Sequence, residues 1–106
     1  MEWYERIRER REHLGIYQDE LALKVGYKGK QSISMIEQGR NDCPQSMLWR
    51  ICQVLQVTPS YILDGMDEDE SHLLYLYRNA DDSAREFARE MLENHQKKDS
   101  TLSKEA

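Results

Sequence analysis

Apolar side chains along the chain recur three or four positions apart in short groups, and glycine closes most of the groups. Trp3, Tyr4, Ile7 and Leu14 fall near one face of a period of about 3.6 residues, with Arg and Glu elsewhere, and Gly15 follows; this predicts a first helix from Trp3 to Leu14. Leu21, Ala22 and Val25 predict a second helix, from Tyr17 or Gln18 to Val25, closed at Gly26. After the turn "YKGK" a third helix runs from Lys30 to Gln38 and stops at Gly39, where a left-handed residue is cheapest as glycine. "RNDCP" leads into a fourth, starting near Pro44 and carrying Leu48, Ile51, Cys52 and Leu55 at i, i+3, i+4 and i+7. "TPSYILDG" reads as a short fifth, opened by Thr58 and Pro59 and closed at Gly65.

Beyond Gly65 the pattern changes. Acidic Asp67 to Glu70 is either a linker or a helix start, where carboxylates suit the exposed amide dipoles. "SHLLYLYRN" predicts a sixth helix, and Ala84, Phe87, Ala88, Met91, Leu92 and His95 predict a seventh, with Ser83 and Glu86 as its capping box. The tail, "KKDSTLSKEA", has no apolar stripe and is expected to fray. No strand alternation and no internal repeat interrupt this all-α reading. It divides the chain into a domain over 1–65, a helical segment over 66–98 and a disordered tail over 99–106.

The second and third helices, joined by a short glycine-containing turn, have the outline of a helix-turn-helix. At roughly 100° per residue, Ile33 and Ile36 point one way, while Gln31, Ser34, Met35 and Gln38 form a stripe on nearly the opposite side. That stripe suits base edges: glutamine presents both a donor and an acceptor to adenine, serine gives or takes one bond, and methionine touches the thymine methyl. Lys28, Lys30 and Arg40 flank it where phosphates would lie, and Ser32 falls on the same helix. The rival is an ordinary amphipathic helix with a solvated polar face, and this helix alone does not separate the two.

Composition narrows the choice. A chain of 106 residues with 39% hydrophobic and 33% charged residues fits one small domain and an appendage. No apolar run approaches the ~18 residues of a membrane span, and the amino terminus lacks a signal-peptide core, so a cytoplasmic protein with no membrane partner is expected. Cys43 and Cys52 form no CxxC pair, and His13, His72 and His95 are scattered, so no metal site, cofactor or catalytic set is expected; the cysteines read as reduced structural thiols. The net charge of −5 is unevenly placed. Residues 1–63 hold 9 Lys/Arg against 8 Asp/Glu, and residues 64–106 hold 6 against 12. The first part is free to carry a local basic surface.

Ile7 to Gly65 resembles the lambdoid phage repressor and Cro type of helix-turn-helix domain, the XRE family. Gly15, the Gln18 to Ala22 element, "VG", "SISMIEQG" and the final "SYILDG" carry the resemblance together. It implies a five-helix lambda-repressor-like fold, the third helix in the major groove, and a dimer on a two-fold operator. By position it places Gln18 against phosphate and the recognition helix, Tyr17 and Arg40 at phosphates, Asn41 in a DNA-touching loop, and Lys30, Gln31, Ser34 and Met35 at bases. Arg11 and Glu37 match a buried ion pair between the first and third helices. "YKGK" is one residue longer than the commonest family turn, which leaves the first base-reading residue open between Lys30 and Gln31. Asp42 stands where some members place a phosphate-binding lysine. Leu23 is apolar where the family is usually polar.

The resemblance does not extend to the last two helices. Their apolar residues, Leu73, Leu74 and Tyr77 with Phe87, Met91 and Leu92, need a cover, either each other or a second copy of the chain. The expected protein is therefore a non-enzymatic, sequence-specific repressor, homodimeric or larger, on double-stranded operator DNA. Because 106 residues leave no room for a self-cleaving peptidase domain, relief by a protein antirepressor is expected. The rivals are an antitoxin or restriction-system controller that autoregulates its operon, and a protein-interaction module of the same fold.

Overall fold

Leu21 and Val25, Ile33 and Ile36, and Ile51 and Leu55 each sit about one turn apart on their helices, and those helices meet at these faces. The computed structural model describes residues 1–97, which are helical with no strand among them. The helices are α1 (Trp3–His13), α2 (Gln18–Val25), α3 (Lys30–Glu37), α4 (Gln45–Leu55), α5 (Pro59–Asp64), α6 (Glu68–Arg78) and α7 (Asp82–Asn94). The expected fraying tail falls almost wholly outside the described residues.

One core holds α1 to α5 together: Ile7, Leu21, Ala22, Val25, Ile33, Ile36, Leu48, Ile51, Cys52, Leu55, Val57, Tyr61 and Ile62 are all buried. Each large aliphatic side chain removed from water contributes about 1.5–3 kcal/mol, so this cluster is what fixes the angle between α2 and α3. Gly15, Gly26, Gly39 and Gly65 all have positive φ and each lies at or just beyond a helix end. At Gly39 two demands coincide, because φ is +73° and a Cβ there would lie 2.6 Å from the Tyr4 ring. Gln56 caps α4 in the same left-handed region, at φ 57°, without being glycine.

Three local expectations need correction. Leu14 is not part of the inward face of α1; it is the exposed C-cap, and the positions it was grouped with continue instead through Arg10 and Arg11, both buried. Ser83 and Glu86 do not cap α7. Asp81 is the N-cap, its carboxylate accepting the Ala84 amide at 2.8 Å, which places Ser83 inside the first turn. Pro44 is the N-cap of α4, in keeping with the expected start near it, but the sixth helix begins at Glu68, three residues before Ser71. The acidic run from Asp67 belongs largely to the first turn of α6.

The chain divides into two compact units, Met1–Leu76 and the remainder from Tyr77. The division falls inside α6, whose first turns are tied to the first unit: Ser71 is fully buried and its Oγ accepts the Thr58 amide at 2.8 Å. In the second unit Arg89 donates to the Tyr77 hydroxyl at 2.8 Å, and Arg85 pairs with Asp82. No residue of α7 is buried.

Candidate nucleic-acid interface

α3 shows how few residues fix an exposed polar surface. Ile33 and Ile36 are sunk in the core at 0% and 2% exposure, which leaves Lys30, Gln31 and Gln38 exposed on the other side. Ser32, Ser34 and Met35 are half-buried, at the margins rather than the crest of that surface. Gln38 is the C-cap residue, and its amide turns back to donate to Ser34 Oγ at 3.0 Å. Its carbonyl oxygen remains as an acceptor. Met35 contributes through its backbone as well, its carbonyl accepting from the amides of Arg40 at 2.9 Å and Asn41 at 3.3 Å. This closes the helix and aims the loop that carries both exposed side chains.

α3 is anchored from behind by charge. Glu37, 5% exposed, accepts from Arg11 Nε at 2.8 Å and Arg11 Nη2 at 3.0 Å, a two-pronged pair between α1 and α3. Gln18, at the start of α2, donates its amide to the same carboxylate at 3.0 Å. Arg11 also donates to the Ile16 carbonyl at 2.9 Å. Three helices therefore converge on one buried carboxylate whose lone pairs are well used. Such a network tolerates little change in the tilt of α3. Gln18 braces α3 directly, so one of its two amide hydrogens is committed to Glu37.

Arg11, Tyr17, Gln18, Asp19 and Lys30 line an open depression of about 430 Å³. Tyr17 and Lys30 are exposed, and Asp19 turns its carboxylate to its neighbour, accepting the Glu20 amide at 2.9 Å. Lys28 lies exposed in the turn before α3, where Gly29 serves as an extended N-cap. Tyr27 beside it packs against the core and donates its amide to the Ala22 carbonyl at 2.8 Å, which fixes the path of the "YKGK" turn. The structure thus brings Tyr17, Gln18, Lys30 and Gln31 to the α2–α3 end, and Gln38, Arg40 and Asn41 to the other end of α3. Asp42 is exposed beside them. Burial pushes the Cys43 thiol up to about 11 and the Cys52 thiol to about 12, so both are protonated at neutral pH.

One cluster was missed. His13 and His72, scattered in the sequence, meet around Glu68 and Arg10. Arg10 and Arg11 stand where the α1 apolar stripe should continue, and a charge at such a position is the signal that would have pointed inward.

Two helices at a fixed angle, the second rigidly held and presenting amide, hydroxyl and ammonium groups outward, define a helix-turn-helix module. The helix-turn-helix family model HTH_3 matches residues 7–62, over half of the chain, and the chain belongs to this family of DNA-binding transcriptional regulators. Among solved structures it is similar to a chain of a SinR protein/SinI protein complex, at 25% identity and a TM-score of 0.51, covering 83% of this chain and 92% of that one. No curated protein matches it. Among the described residues, no helix is long and apolar enough to cross a membrane.

Proposed function

We propose that the protein is a dimeric repressor that reads a palindromic operator through α3 and acts by equilibrium occupancy alone. The observation that carries this reading is the Arg11–Glu37–Gln18 network, which holds the polar face of α3 rigid and outward. Gln31 and Lys30 are assigned to base edges, with Ser32, Ser34, Met35 and Gln38 at the margins of the same groove. Tyr17, Gln18, Lys28, Arg40 and Asn41 are assigned to phosphates.

A two-fold operator requires two copies of α3. The exposed apolar groups of α7, Phe87 at 66%, Met91 at 46% and Leu92 at 59%, support pairing through that helix; on α6, Leu73 at 57% exposure and the half-buried Leu74 and Tyr77 are assigned to pairing in their own right. Relief by a protein antirepressor is supported by the same surface, since whatever covers those side chains competes with the second copy. The similar SinR chain is found in complex with another protein, which favours control of this kind. An autoregulating antitoxin or restriction controller would use the same surfaces, and Leu23, 66% exposed on α2, is the feature that favours a protein-interaction module instead.

Selection from random duplexes tests the proposal. A preferred two-fold sequence is expected, with half-sites about 34–36 Å apart or a multiple of that. Retention of DNA with no preferred sequence, or none retained at low salt, would refute it.

A further inference from the structure

Arg10 and Arg11 are neighbours in α1 but serve different helices. Arg11 reaches α3, whereas Arg10 donates through Nε to the Leu55 carbonyl at 2.9 Å and through Nη1 to Glu68 Oε2 at 3.0 Å, in the first turn of α6. His13, one turn beyond Arg10, places Nδ1 2.9 Å from the same Oε2 and 3.0 Å from Oε1. Glu68 is thus gripped by two groups of α1 that carry positive charge when His13 is protonated.

His72, one turn further along α6, sets Nδ1 2.8 Å from the Gln56 carbonyl and 3.2 Å from Arg10 Nη2. The two contacts exclude each other as hydrogen bonds, because Nδ1 must carry a proton to donate to the carbonyl and must lack one to accept from Arg10. Ser71, the buried residue of α6, is also held by polar groups, with Thr58 Oγ1 and the Thr58 amide both 2.8 Å from its Oγ. The attachment of these turns therefore rests on charge and hydrogen bonds, without a buried apolar anchor from α6.

We propose that this cluster is a proton-controlled latch: protonated His13 clamps Glu68 against Arg10 and holds the first turns of α6 on α1, and loss of that proton loosens them. The groups that face His13 are Glu68 across the gap and Glu9, Arg10 and Glu12 on its own helix; Tyr61 of α5 also faces Glu68. The hydrogen bond and charge of Glu68 hold the His13 imidazole above its ordinary value of 6.5. Burial pushes Glu68 up, but the hydrogen bonds and charges of His13 and Arg10 outweigh it and hold the carboxyl below its ordinary 4.5.

The signs follow from these directions. The His13 contribution is complete below 6.5 and is lost as pH rises through the raised value; the Glu68 contribution is complete above 4.5 and is lost only as pH falls through the lowered one. The latch is closed at mildly acidic pH and loosens as pH rises through the raised His13 value. Arg10 stays charged, and a neutral His13 with its proton on Nδ1 keeps a hydrogen bond, so loosening is graded.

Amide exchange of the full chain, corrected for the intrinsic pH dependence, tests the latch together with an NMR titration of the histidines. Protection of the amides in residues 71–76 is expected to fall roughly two- to threefold as pH rises through the His13 titration, while α2 and α3 amides hold constant. In His13→Gln, which keeps a donor but cannot titrate, the α6 profile becomes flat. In Glu68→Gln, His13 titrates near its ordinary value and α6 protection is low throughout. A flat profile in the parent chain, or an unchanged pH-dependent profile in His13→Gln, overturns the proposal.

Discussion

Replacing Arg11 with methionine leaves the Glu37 carboxylate in the core with one of its three hydrogen bonds, the one from Gln18 at 3.0 Å. The Glu37 side chain is 2% exposed and the Arg11 side chain 10%, so water cannot replace what is lost without opening the packing between α1 and α3. Stranding a buried partner in this way costs about 3–5 kcal/mol. A domain of this size has about 4–11 kcal/mol of stability to begin with, so the single variant should be close to unfolding. With a urea slope of about 1 kcal/mol per molar, the unfolding midpoint should fall by about 3 M or more, or no folded baseline should remain. Glu37→Leu alone should also be costly, because it strands Arg11, whereas Arg11→Met with Glu37→Leu removes both charges. The double variant should therefore be more stable than the sum of the single losses allows, by at least about 2 kcal/mol. Strict additivity, or a loss below about 1 kcal/mol for Arg11→Met, would refute the claim that this pair fixes α3.

Gly39→Ala should destabilise the protein by about 2–4 kcal/mol, part from the left-handed backbone and part from the displaced Tyr4 ring; thermal unfolding would show it, and Tyr4→Ala should recover the second part. Gln56→Gly, at φ 57°, should instead stabilise by about 0.5–1 kcal/mol, seen as a higher melting temperature. On the selected operator, Gln31→Ala should relax preference at one base pair by about 1–3 kcal/mol, while Arg40→Ala should weaken all sequences alike and lower the salt slope by about one, both read by fluorescence anisotropy across salt. Phe87→Glu or Met91→Glu should raise the dimer dissociation constant by about tenfold or more in sedimentation without changing the helical signal, since each removes a large apolar group from the proposed pairing surface.

What the sequence made legible was local. Ile33 and Ile36 needed only the helical period to be assigned inward, and glycine at positions 15, 26, 39 and 65 marked helix ends because a positive φ there is cheapest without a Cβ. The spacing of Ser83 to Glu86 pointed to the wrong cap of α7, because Asp81, two positions earlier, can equally accept an amide of the first turn and does so from Ala84. The Arg11–Glu37 pair was legible only through resemblance, since nothing in the spacing links residues 26 positions apart. The grouping of His13 and Glu68, 55 positions apart, had no local signature at all. It depends on the first turn of α6 meeting the last turn of α1, a tertiary contact that no local pattern encodes.

The charge of the chain can then be weighed where it acts. A pI of 5.2 describes how the whole molecule moves in bulk solution, but a charge influences a phosphate only within a screening length of about 8 Å at physiological salt. Around α3 several acids are already occupied. Glu37 is paired with Arg11 behind the helix at 2.8 Å, and Glu12 on α1 is paired with Arg8 at 2.8 Å. The exposed charges bordering the polar face of α3 are Lys28, Lys30 and Arg40 against Asp19 and Asp42, while Gln31 and Gln38 contribute none. On the proposed reading, a face built this way would have a modest attraction for DNA of any sequence and rely more on its amide groups, so a larger share of its affinity should come from matched bases than in a strongly basic helix-turn-helix protein. Asp42 would add to that bias, because a carboxylate at the edge lowers the attraction for phosphate of any sequence.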